Sequence, residues 1–285
     1  MKLGYFVSQM TAFPFNPVTP YPLLSPYVAK IWVFESSGRL PVQERKLIVP
    51  NANLKLTLTY CNGIAARVGE KGFLQRENEL TLTGLIDEPV ILDPSEDART
   101  GTIIVEFNPL GAYRFFHLQY TAVKNEITDL AELVGNRAVV LRSRLAETTD
   151  VNQKVQLLQD FLIRQLENYP ADQIYDHCIH RIMATNGLIT VAQLEKETGY
   201  SALWLNRKFS EHLGTSPKGL AEIVRFKPFY QAYSIGASTH ILKQHIYHQY
   251  YDQSHFLRAF RRFTGTTPTE LQSTMNELST RNFTS

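Results

Sequence analysis

The sequence predicts an α+β protein, with an amino-terminal antiparallel β-barrel that carries helices and an all-α carboxyl-terminal domain. Three observations predict this fold class. Short segments rich in β-branched and aromatic residues run from Ser25 to about Phe107, with turn signals between them. Helical periodicity follows Asn108. Near the carboxyl end, a segment typical of a short capped helix occurs twice, 51 positions apart.

The length and composition indicate two domains of a cytoplasmic protein. A chain of 285 residues suits two domains that each bury a core. We place the boundary where Pro170 stops a helix, which gives a β-barrel domain with trailing helices over 1–168 and a helical domain over 169–285. Cys61 and Cys178 give no disulfide framework and favour a reducing cytoplasm. No apolar segment approaches the about 20 residues that span a bilayer, so we expect no membrane partner.

The amino-terminal half is predicted to consist of short strands. The segments are VAKIWVFES, RKLIVP, LKLTLTY, IAARVG, ELTLTG, PVILDP and GTIIVEF. Segments of this length, with turns at such spacing, are typical of an antiparallel barrel or sandwich.

Three helices are predicted over 128–168. Thr128 caps the first, DLAELV, and the second is RAVVLRSRLAE. Asp150 caps the third, which is long. The third helix has an apolar stripe made of Val151, Val155, Leu158, Leu162 and Leu166. This stripe either packs on its own barrel or pairs with a second subunit as in a coiled coil, and the sequence leaves both alternatives open.

The duplicated unit comprises Ser201–Pro217 and Asp252–Pro268. Average residue usage would give about one chance identity in so short a comparison. Ser201 and Asp252 have the side chains of helix N-caps, and a glycine later in each copy predicts the helix end. The identical pairs are Arg207/Arg258, Phe209/Phe260, Gly214/Gly265, Thr215/Thr266 and Pro217/Pro268.

Each copy is predicted to bury one apolar stripe and to expose a polar face. The inward stripes are Leu205, Phe209 and Leu213 in the first copy, and Phe256, Phe260 and Phe263 in the second. Amides, hydroxyls, guanidinium groups and small apolar groups remain outside, and such groups read base edges and thymine methyls in a major groove. An ordinary solvated helix face is the alternative. The candidate base-contacting residues are Leu203, Asn206, Arg207, Gln253, Ser254, Leu257 and Arg258.

A further helix precedes each copy, so each unit has the form of a helix-turn-helix. Thr190 caps VAQLEKET, which ends at Gly199, and Ser238 or Thr239 begins HILKQHIYHQ. A connecting helix from Pro217 towards Tyr233 would let the two second helices address successive major-groove segments, about 34 Å apart.

The positive charge concentrates on the duplicated region. Residues 201–268 contain nine Lys/Arg and three Asp/Glu, whereas residues 1–165 contain 17 of each. Such a concentration favours contact with phosphates. Arg207 and Arg258 have an alternative structural role, in which each pairs with an acid of its own unit. The candidate phosphate-contacting or bracing residues are Lys208, Lys218, Arg225, Arg261 and Arg262.

Residues 187–272 resemble the DNA-binding domain of the AraC/XylS family of bacterial transcription regulators. The family pattern S-x-x-x-L-x-R-x-F-x-x-x-x-G-x-S-P matches Ser201–Pro217, and YYDQSHFLRAFRRFTGTTP matches its second signature. Arg225 matches the arginine of the family's connecting helix. The resemblance implies a sequence-specific, DNA-binding transcription regulator.

The sequence departs from the family pattern in a few places. Gln249 stands where most members have glycine, and Glu195 and His245 replace the small residue between the two helices of each unit. Pro228 is predicted to interrupt the connecting helix, because proline clashes with the preceding turn. Gln249, Glu195 and His245 leave open a second candidate function, a small-molecule-binding or enzymatic cupin-like protein whose degenerate helix-turn-helix domain binds protein.

The segments PYVAKIWVFES and FNPLGAYRFFHL resemble a cupin-like sensory module found in one branch of the same family. This resemblance implies a small-molecule effector inside the barrel, although aromatic residues also fill ordinary cores. The aromatic candidates for its lining are Trp32, Phe34, Tyr60, Phe107 and Tyr113. The partners expected for such a regulator are double-stranded DNA, a small-molecule effector, RNA polymerase and a second copy of the chain.

The sequence predicts no metal, no cofactor and no enzymatic activity. A metal-dependent cupin needs a cluster of His and Glu ligands, and only His117 occurs before residue 170. His177, Cys178 and His180 are spaced closely enough for a metal, as are His245 and His248, but a solvated helix is the default for each group. No nucleophile motif or phosphate-binding glycine loop is present.

Overall fold

The computed structural model describes residues 15–36, 46–93, 99–234, 250 and 253–271. The chain is α+β, as predicted, with antiparallel sheets in its amino-terminal part and helices in its carboxyl-terminal part. The strands are β1 (Phe15–Val18), β2 (Val28–Ser36), β3 (Lys46–Ile48), β4 (Leu54–Cys61), β5 (Ile64–Val68), β6 (Lys71–Gln75), β7 (Leu80–Thr83), β8 (Val90–Asp93), β9 (Thr100–Phe107) and β10 (Ile127–Asp129). The helices are α1 (Ala112–Phe115), α2 (Leu130–Val134), α3 (Asn136–Glu147), α4 (Val151–Leu166), α5 (Gln173–Ala184), α6 (Val191–Thr198), α7 (Ala202–Leu213), α8 (Pro217–Ser234), α9 (Gln253–Thr264) and α10 (Pro268–Leu271).

The strands form two antiparallel sheets with a cavity between them. One sheet has the order β1-β2-β9-β4-β7-β10 and the other the order β3-β8-β5-β6. Alternation along β4 shows how the larger sheet divides its side chains: Leu54, Leu56 and Leu58 are buried on the face away from the cavity, and Lys55 and Thr57 line it. The larger sheet therefore has an apolar face and a mainly polar face.

The predicted strands are confirmed, and the structure adds three that the pattern did not indicate. The additional strand β1 contains Pro17, which suits an edge strand. Strand β6 begins in a segment that has the composition of a turn, with Gly72 at its second position. Strand β10 has three residues and pairs with β7.

The predicted cap Thr128 is wrong. Thr128 lies in β10, opposite Leu82. The next residue, Asp129, caps α2 instead, because its Oδ1 accepts a hydrogen bond at 2.7 Å from the backbone N–H of Ala131. Strand pairing therefore moves the helix start by one residue.

The long helix α4 packs on its own chain. Asp150 caps it as predicted, since its Oδ1 accepts from the backbone N–H of Asn152 at 3.1 Å. Val155, Leu158 and Leu162 of the predicted stripe are at most 4% exposed. They belong to one continuous core that extends from the sheets to the carboxyl-terminal helices. The stripe is thus covered within the chain, and a second subunit stays a prediction.

The predicted domain boundary falls between two helices. Residues 168 and 169 follow α4, and α5 begins at Gln173 with Asp172 as its N-cap. Tyr175 at the start of α5 donates its hydroxyl to the carbonyl of Pro109 at 2.7 Å. The two parts of the chain are therefore in direct contact beside the boundary.

The prediction that Pro228 interrupts the connecting helix is wrong, because α8 is helical from Pro217 to Ser234. An interior proline costs about 3 kcal/mol. Phe226, Phe229 and Tyr230, which flank it, are at most 2% exposed. Burial of each such side chain contributes about 1.5–3 kcal/mol, enough to offset the missing hydrogen bond.

Across the described ranges, no helix has both the length and the apolar character that a membrane span requires.

Candidate nucleic-acid interface and cavity

The first helix-turn-helix unit consists of α6 and α7. Thr190 Oγ1 accepts from the backbone N–H of Gln193 at 3.2 Å, and Gln193 Oε1 accepts from the backbone N–H of Thr190 at 2.8 Å, so a capping box starts α6. The helix ends at Gly199 with φ 76°. Ser201 then caps α7 through the backbone N–H of Trp204 at 3.3 Å. Both predicted caps are confirmed.

Glu195, one of the departures from the family pattern, bridges the two helices of this unit. Its Oε1 accepts a hydrogen bond from the backbone N–H of Ala202 at 2.5 Å. Ala202 is the first residue of α7, where a free amide and the positive end of the helix dipole favour a carboxylate. The substitution is therefore compatible with the helix-turn-helix geometry.

Helix α7 has the predicted division into a buried stripe and an outward face. Leu205, Phe209 and Leu213 are at most 1% exposed. Leu203 is 81% exposed and the Arg207 side chain 70%, while Asn206 is half-buried. Arg207 Nε lies 3.6 Å from Glu211 Oε1, as in the alternative structural role, but both side chains face solvent.

Helix α9 of the second unit repeats this division. Phe256, Phe260 and Phe263 are at most 2% exposed, whereas Ser254, Leu257 and Arg258 are exposed. The helix leads into Gly265 with φ 75°, so the predicted glycine end is confirmed. The side chain of Gln253, the predicted cap Asp252 and the preceding helix predicted from Ser238 or Thr239, with His245 and Gln249, lie outside the described residues.

The five candidate phosphate-contacting or bracing residues divide into two groups. Lys218 and Arg261 are exposed. The other three bind protein groups. Lys208 Nζ is 2.9 Å from Asp172 Oδ2, and Arg225 Nη2 donates to the carbonyl of Gly187 at 2.7 Å. Arg262, the third, contacts Asp87 and Glu222.

Asp172 and His212 connect α7 to Tyr113 of the amino-terminal part, since the backbone N–H of Asp172 donates to the Tyr113 hydroxyl at 3.1 Å. Asp172 Oδ1 caps α5 and its Oδ2 is 3.2 Å from His212 Nε2. The His212 ring stacks on Tyr113 of α1, with ring centroids 4.5 Å apart and an interplanar angle of 7°. Burial lowers the pKa of His212 below 6.5; Asp172 opposes this shift, and the nearby charge of Lys208 adds to it. The folded state therefore favours a neutral imidazole at this contact.

Asp87 connects α9 to the amino-terminal part. Its Oδ2 lies 2.5 Å from Arg262 Nη2 and 2.7 Å from Lys124 Nζ, and its Oδ1 accepts from Asn125 Nδ2 at 2.8 Å. Arg262 Nη1 also donates to Glu222 at 3.1 Å. Burial alone would raise the pKa of Asp87, but the hydrogen bonds from Lys124, Asn125 and Arg262 outweigh it and hold the pKa below 3.8.

The segment that contains Asp87 also forms part of the cavity wall. Ile86 and Val90 line the cavity. Pro89 lies against the second unit, because a Cβ on Gly265 would be 3.0 Å from its Cγ. Neighbouring residues in this segment, defined here as the 86–90 segment, therefore contact both the cavity and the second helix-turn-helix unit.

The cavity between the sheets has a volume of about 340 Å³. Of the aromatic candidates, Trp32 lines it, and Phe34 lies further along the same face of β2 without lining it. Phe107 lies on the opposite face of β9 and packs on Phe115. Tyr60 donates to Glu35 at 2.8 Å, and Tyr113 lies at the α7 contact described above. The structure therefore does not bring the five aromatic candidates together: strand alternation turns Phe107 away from the cavity, and Tyr113 lies on helix α1.

The polar cavity residues were not predicted from the sequence. On the larger sheet, Glu106 lies opposite Lys30 on one side and opposite Lys55 on the other. Burial and the charge of Lys30 lower the pKa of Lys227 of α8, and the charge of Glu106 raises it. The alternation of polar side chains in LKLTLTY is the signal that could have indicated this face, since every second residue of a strand points to the same side.

The candidate metal residues of α5 lie apart. Cys178 is fully buried, and burial raises the pKa of its thiol to about 11. His177 and His180 are exposed and contact Glu197 and the carbonyl of Asp176 respectively. In the part of the chain that the structure describes, no three His, Cys, Asp or Glu side chains form a group suited to a metal ion. His245 and His248 lie outside it.

Among solved structures, the chain is similar to ToxT from Vibrio cholerae, with 13% identity and a TM-score of 0.45 over 87% of this chain and 98% of that chain. A structure of ToxT from Vibrio cholerae with a bound unsaturated fatty acid is similar at 10% identity and a TM-score of 0.43, over 86% of this chain and 95% of that chain. Hydroxypropylphosphonic acid epoxidase from S. wedmorenis in complex with fosfomycin has 13% identity and a TM-score of 0.28, over 33% of this chain and 50% of that chain. No curated protein sequence matches the chain.

Two sequence families match separate parts of the chain. Residues 16–129 match a domain of unknown function, DUF6597. Residues 194–274 match a helix-turn-helix domain family of the AraC type. This second match covers α7, α8 and α9, where the two buried stripes and the exposed polar faces were observed. The carboxyl-terminal part of the chain is therefore an AraC-type helix-turn-helix domain, and the protein is a DNA-binding transcription regulator.

Proposed function

We propose that the protein is a sequence-specific regulator that acts in the cytoplasm, reads two successive major-groove segments through α7 and α9, and is controlled by a small molecule in the cavity. One observation carries the DNA-reading part. Both helices bury an aromatic or aliphatic stripe completely and leave a guanidinium group of an equivalent residue, Arg207 or Arg258, in solvent.

In this proposal Arg207 and Arg258 contact bases, because a guanidinium group binds guanine with two hydrogen bonds in the major groove. The exposed ion pair of Arg207 with Glu211 does not prevent this role. Pairs between exposed side chains contribute about 0–1 kcal/mol, less than a base contact of about 1–3 kcal/mol. The exposed Leu203 and Leu257 are suited to contact thymine methyl groups.

Lys218 and Arg261 are proposed to contact phosphates, since both are exposed beside the second helices. Lys208, Arg225 and Arg262 are proposed to brace the units through the protein contacts described above. A regulator with this division should show DNA binding that falls steeply with salt, because each phosphate contact releases counterions.

The proposed control by a small molecule rests on α8, which both units share. Phe226 and Phe229 of this helix pack on Phe256 and Phe260 of α9. On another side of α8, burial lowers the pKa of Lys227, the neighbouring Lys30 lowers it further, and Glu106 raises it. A molecule that enters the cavity would change the surroundings of Lys30 and Glu106 and thereby act on the helix that positions α9.

The DNA-reading proposal is tested with Arg258→Ala and Lys218→Ala on DNA from upstream of the protein's own gene. Arg258→Ala should lower the affinity for the bound site by about 1–3 kcal/mol and relax the base preference. Lys218→Ala should weaken specific and random DNA alike. Arg76→Ala removes a charge from an exposed turn of the amino-terminal part and serves as the matched control. Equal losses on specific and random DNA for both helix-turn-helix variants would refute the base contact.

RNA polymerase and a second copy of the chain stay predicted partners. The second candidate function, a protein-binding helix-turn-helix, is tested by the same measurement, because it requires that neither specific nor random DNA binds in a salt-dependent way.

A further inference from the structure

The polar wall of the cavity is a sheet face rich in threonine. Register places Thr57 of β4 opposite Thr81 of β7, and Thr59 of β4 opposite Thr102 of β9. Thr57, Thr81 and Thr102 all line the cavity, and Thr83 lies two residues beyond Thr81 on the same face. Threonine residues from three neighbouring strands therefore line one side of the cavity.

Several of the polar atoms on this side are buried without a partner. Thr81 and Thr102 are 5% and 2% exposed, and neither Oγ1 has a hydrogen-bond partner among the described residues. Asn51 is 8% exposed and lines the same cavity. Its Oδ1 accepts from the backbone N–H of Asn53, but its Nδ2 is without a partner in the described part of the chain. Buried polar groups are normally hydrogen-bonded, so these three atoms indicate a missing partner.

The opposite wall of the cavity is mainly apolar. Ile64 and Ala66 of β5, Phe73 of β6 and Val90 of β8 line it from the smaller sheet. The cavity thus has one wall that favours hydrocarbon and one that offers hydrogen bonds.

We propose that the cavity binds a small, elongated oxygenated compound, with its apolar body against the smaller sheet and hydroxyl or carbonyl oxygens against Thr81, Thr102 and Asn51. The proposal rests on the proposed function, since it specifies the ligand class of the same cavity. Asn51 Nδ2 requires an acceptor, and the threonine hydroxyls accept or donate.

The spacing of the threonines indicates how far apart the ligand's oxygens lie. Thr81 and Thr102 are two strands apart, and their partners on β4 are two residues apart. Neighbouring strands lie about 4.8 Å apart, and each residue advances about 3.4 Å along a strand. Two strand spacings and two residues therefore place the Cα atoms of Thr81 and Thr102 about 12 Å apart. A ligand with one oxygen near each threonine is therefore extended, with polar groups near both ends.

A series of three probes matches this geometry: biphenyl, 4-hydroxybiphenyl and 4,4′-dihydroxybiphenyl. The series keeps the rings and adds one hydroxyl at each end. Binding to the full chain is measured by isothermal titration calorimetry. Each hydroxyl should tighten binding roughly threefold to tenfold, as one neutral hydrogen bond does. Equal affinities of biphenyl and 4,4′-dihydroxybiphenyl would overturn the proposal. A failure of all three probes to bind would also overturn it and would indicate that water molecules satisfy the threonine hydroxyls.

Thr81→Val and Thr102→Val test the assigned contacts. Each should remove one hydroxyl's gain in affinity for 4,4′-dihydroxybiphenyl and leave the affinity for biphenyl unchanged. Valine also removes a buried unpartnered hydroxyl, so the melting temperature of the ligand-free protein should stay the same or rise. A structural role alone would predict the opposite, a lower melting temperature with no selective effect on the hydroxylated probes.

Two further variants complete the test. Thr83→Val is the matched control, since Thr83 lines the same wall but its hydroxyl is not among the buried unpartnered atoms. Ala66→Leu fills the apolar side and should weaken all three probes alike. Equal effects of Thr83→Val and Thr81→Val on the dihydroxy probe would refute the assignment. Probe binding is measured without DNA, so its failure and a failure to bind DNA are separate results.

Discussion

Replacement of Gly214 by alanine tests whether the first helix-turn-helix unit packs on the amino-terminal part of the chain. Gly214 ends α7 with φ 77°, and a Cβ at this position would lie 2.5 Å from the carbonyl oxygen of Tyr120. Gly199 ends α6 with φ 76°, and a Cβ there would meet nothing within 4 Å. The two glycines therefore share a backbone conformation and differ in their surroundings.

The expected losses follow from this difference. Alanine in a left-handed conformation costs about 1–2 kcal/mol at either position. At Gly214 the new Cβ must also move away from the Tyr120 carbonyl, because ordinary contacts begin at 3.4 Å. Overpacking of this kind costs about 1–3 kcal/mol. We expect Gly199→Ala to lower the free energy of unfolding by about 1–2 kcal/mol and Gly214→Ala by about 2–5 kcal/mol.

Urea denaturation of both variants and of the unchanged chain measures these losses, with the slope m as a check that the same structure unfolds. Equal losses for the two variants would show that Gly214 does not approach Tyr120. The observed contact between α7 and the amino-terminal part would then be refuted in solution.

Three further predictions concern the contacts that connect or support the helix-turn-helix units. The first is a double-mutant cycle with Asp87→Asn and Arg262→Gln. The free energy of unfolding should show a coupling of about 1–2 kcal/mol, because Asp87 is buried and Arg262 is half-exposed. Strictly additive losses would contradict the ion pair. Glu195→Ala should lower the free energy of unfolding by about 0.5–2 kcal/mol and thus the melting temperature. Glu195→Gln should retain most of the stability because it keeps the hydrogen-bond acceptor. Identical melting curves for the two variants would rule out the cap. Burial lowers the pKa of His212 below 6.5 in the folded chain, so the unfolded chain binds the proton more readily. The stability of the fold should therefore decrease as the pH falls from about 6.5 towards the folded pKa. His212→Gln should flatten this dependence in melts between about pH 5 and pH 8, and an unchanged pH profile would refute the assignment.

Local signals in the sequence predicted much of the carboxyl-terminal domain. The caps Thr190 and Ser201 and the helix ends at Gly199 and Gly214 depend on residues within one turn, so the pattern contains the required information. The apolar stripes were predicted for the same reason. By contrast, the continuation of α8 through Pro228 depends on aromatic packing with α9, a contact distant in sequence, and was not predicted.

The site residues show the same limit. Exposure of Arg207 and Leu203 follows from helical periodicity and was predicted. The binding of Arg262 to Asp87 joins residues 175 positions apart, and no local pattern indicates it. The aromatic candidates for the cavity were chosen by residue type, whereas the cavity face is set by strand register, which brings threonines of three strands together.

The 86–90 segment has a consequence for how regulation can be altered. Ile86 borders the cavity, and the adjacent Asp87 binds α9. In the proposed function, a substitution at either residue changes the communication between an occupied cavity and α9, and leaves the proposed base-contacting residues intact. Selection for variants that regulate without any inducer should recover changes at these adjacent positions, and a conservative exchange such as Ile86→Val would adjust the strength of the response in small steps.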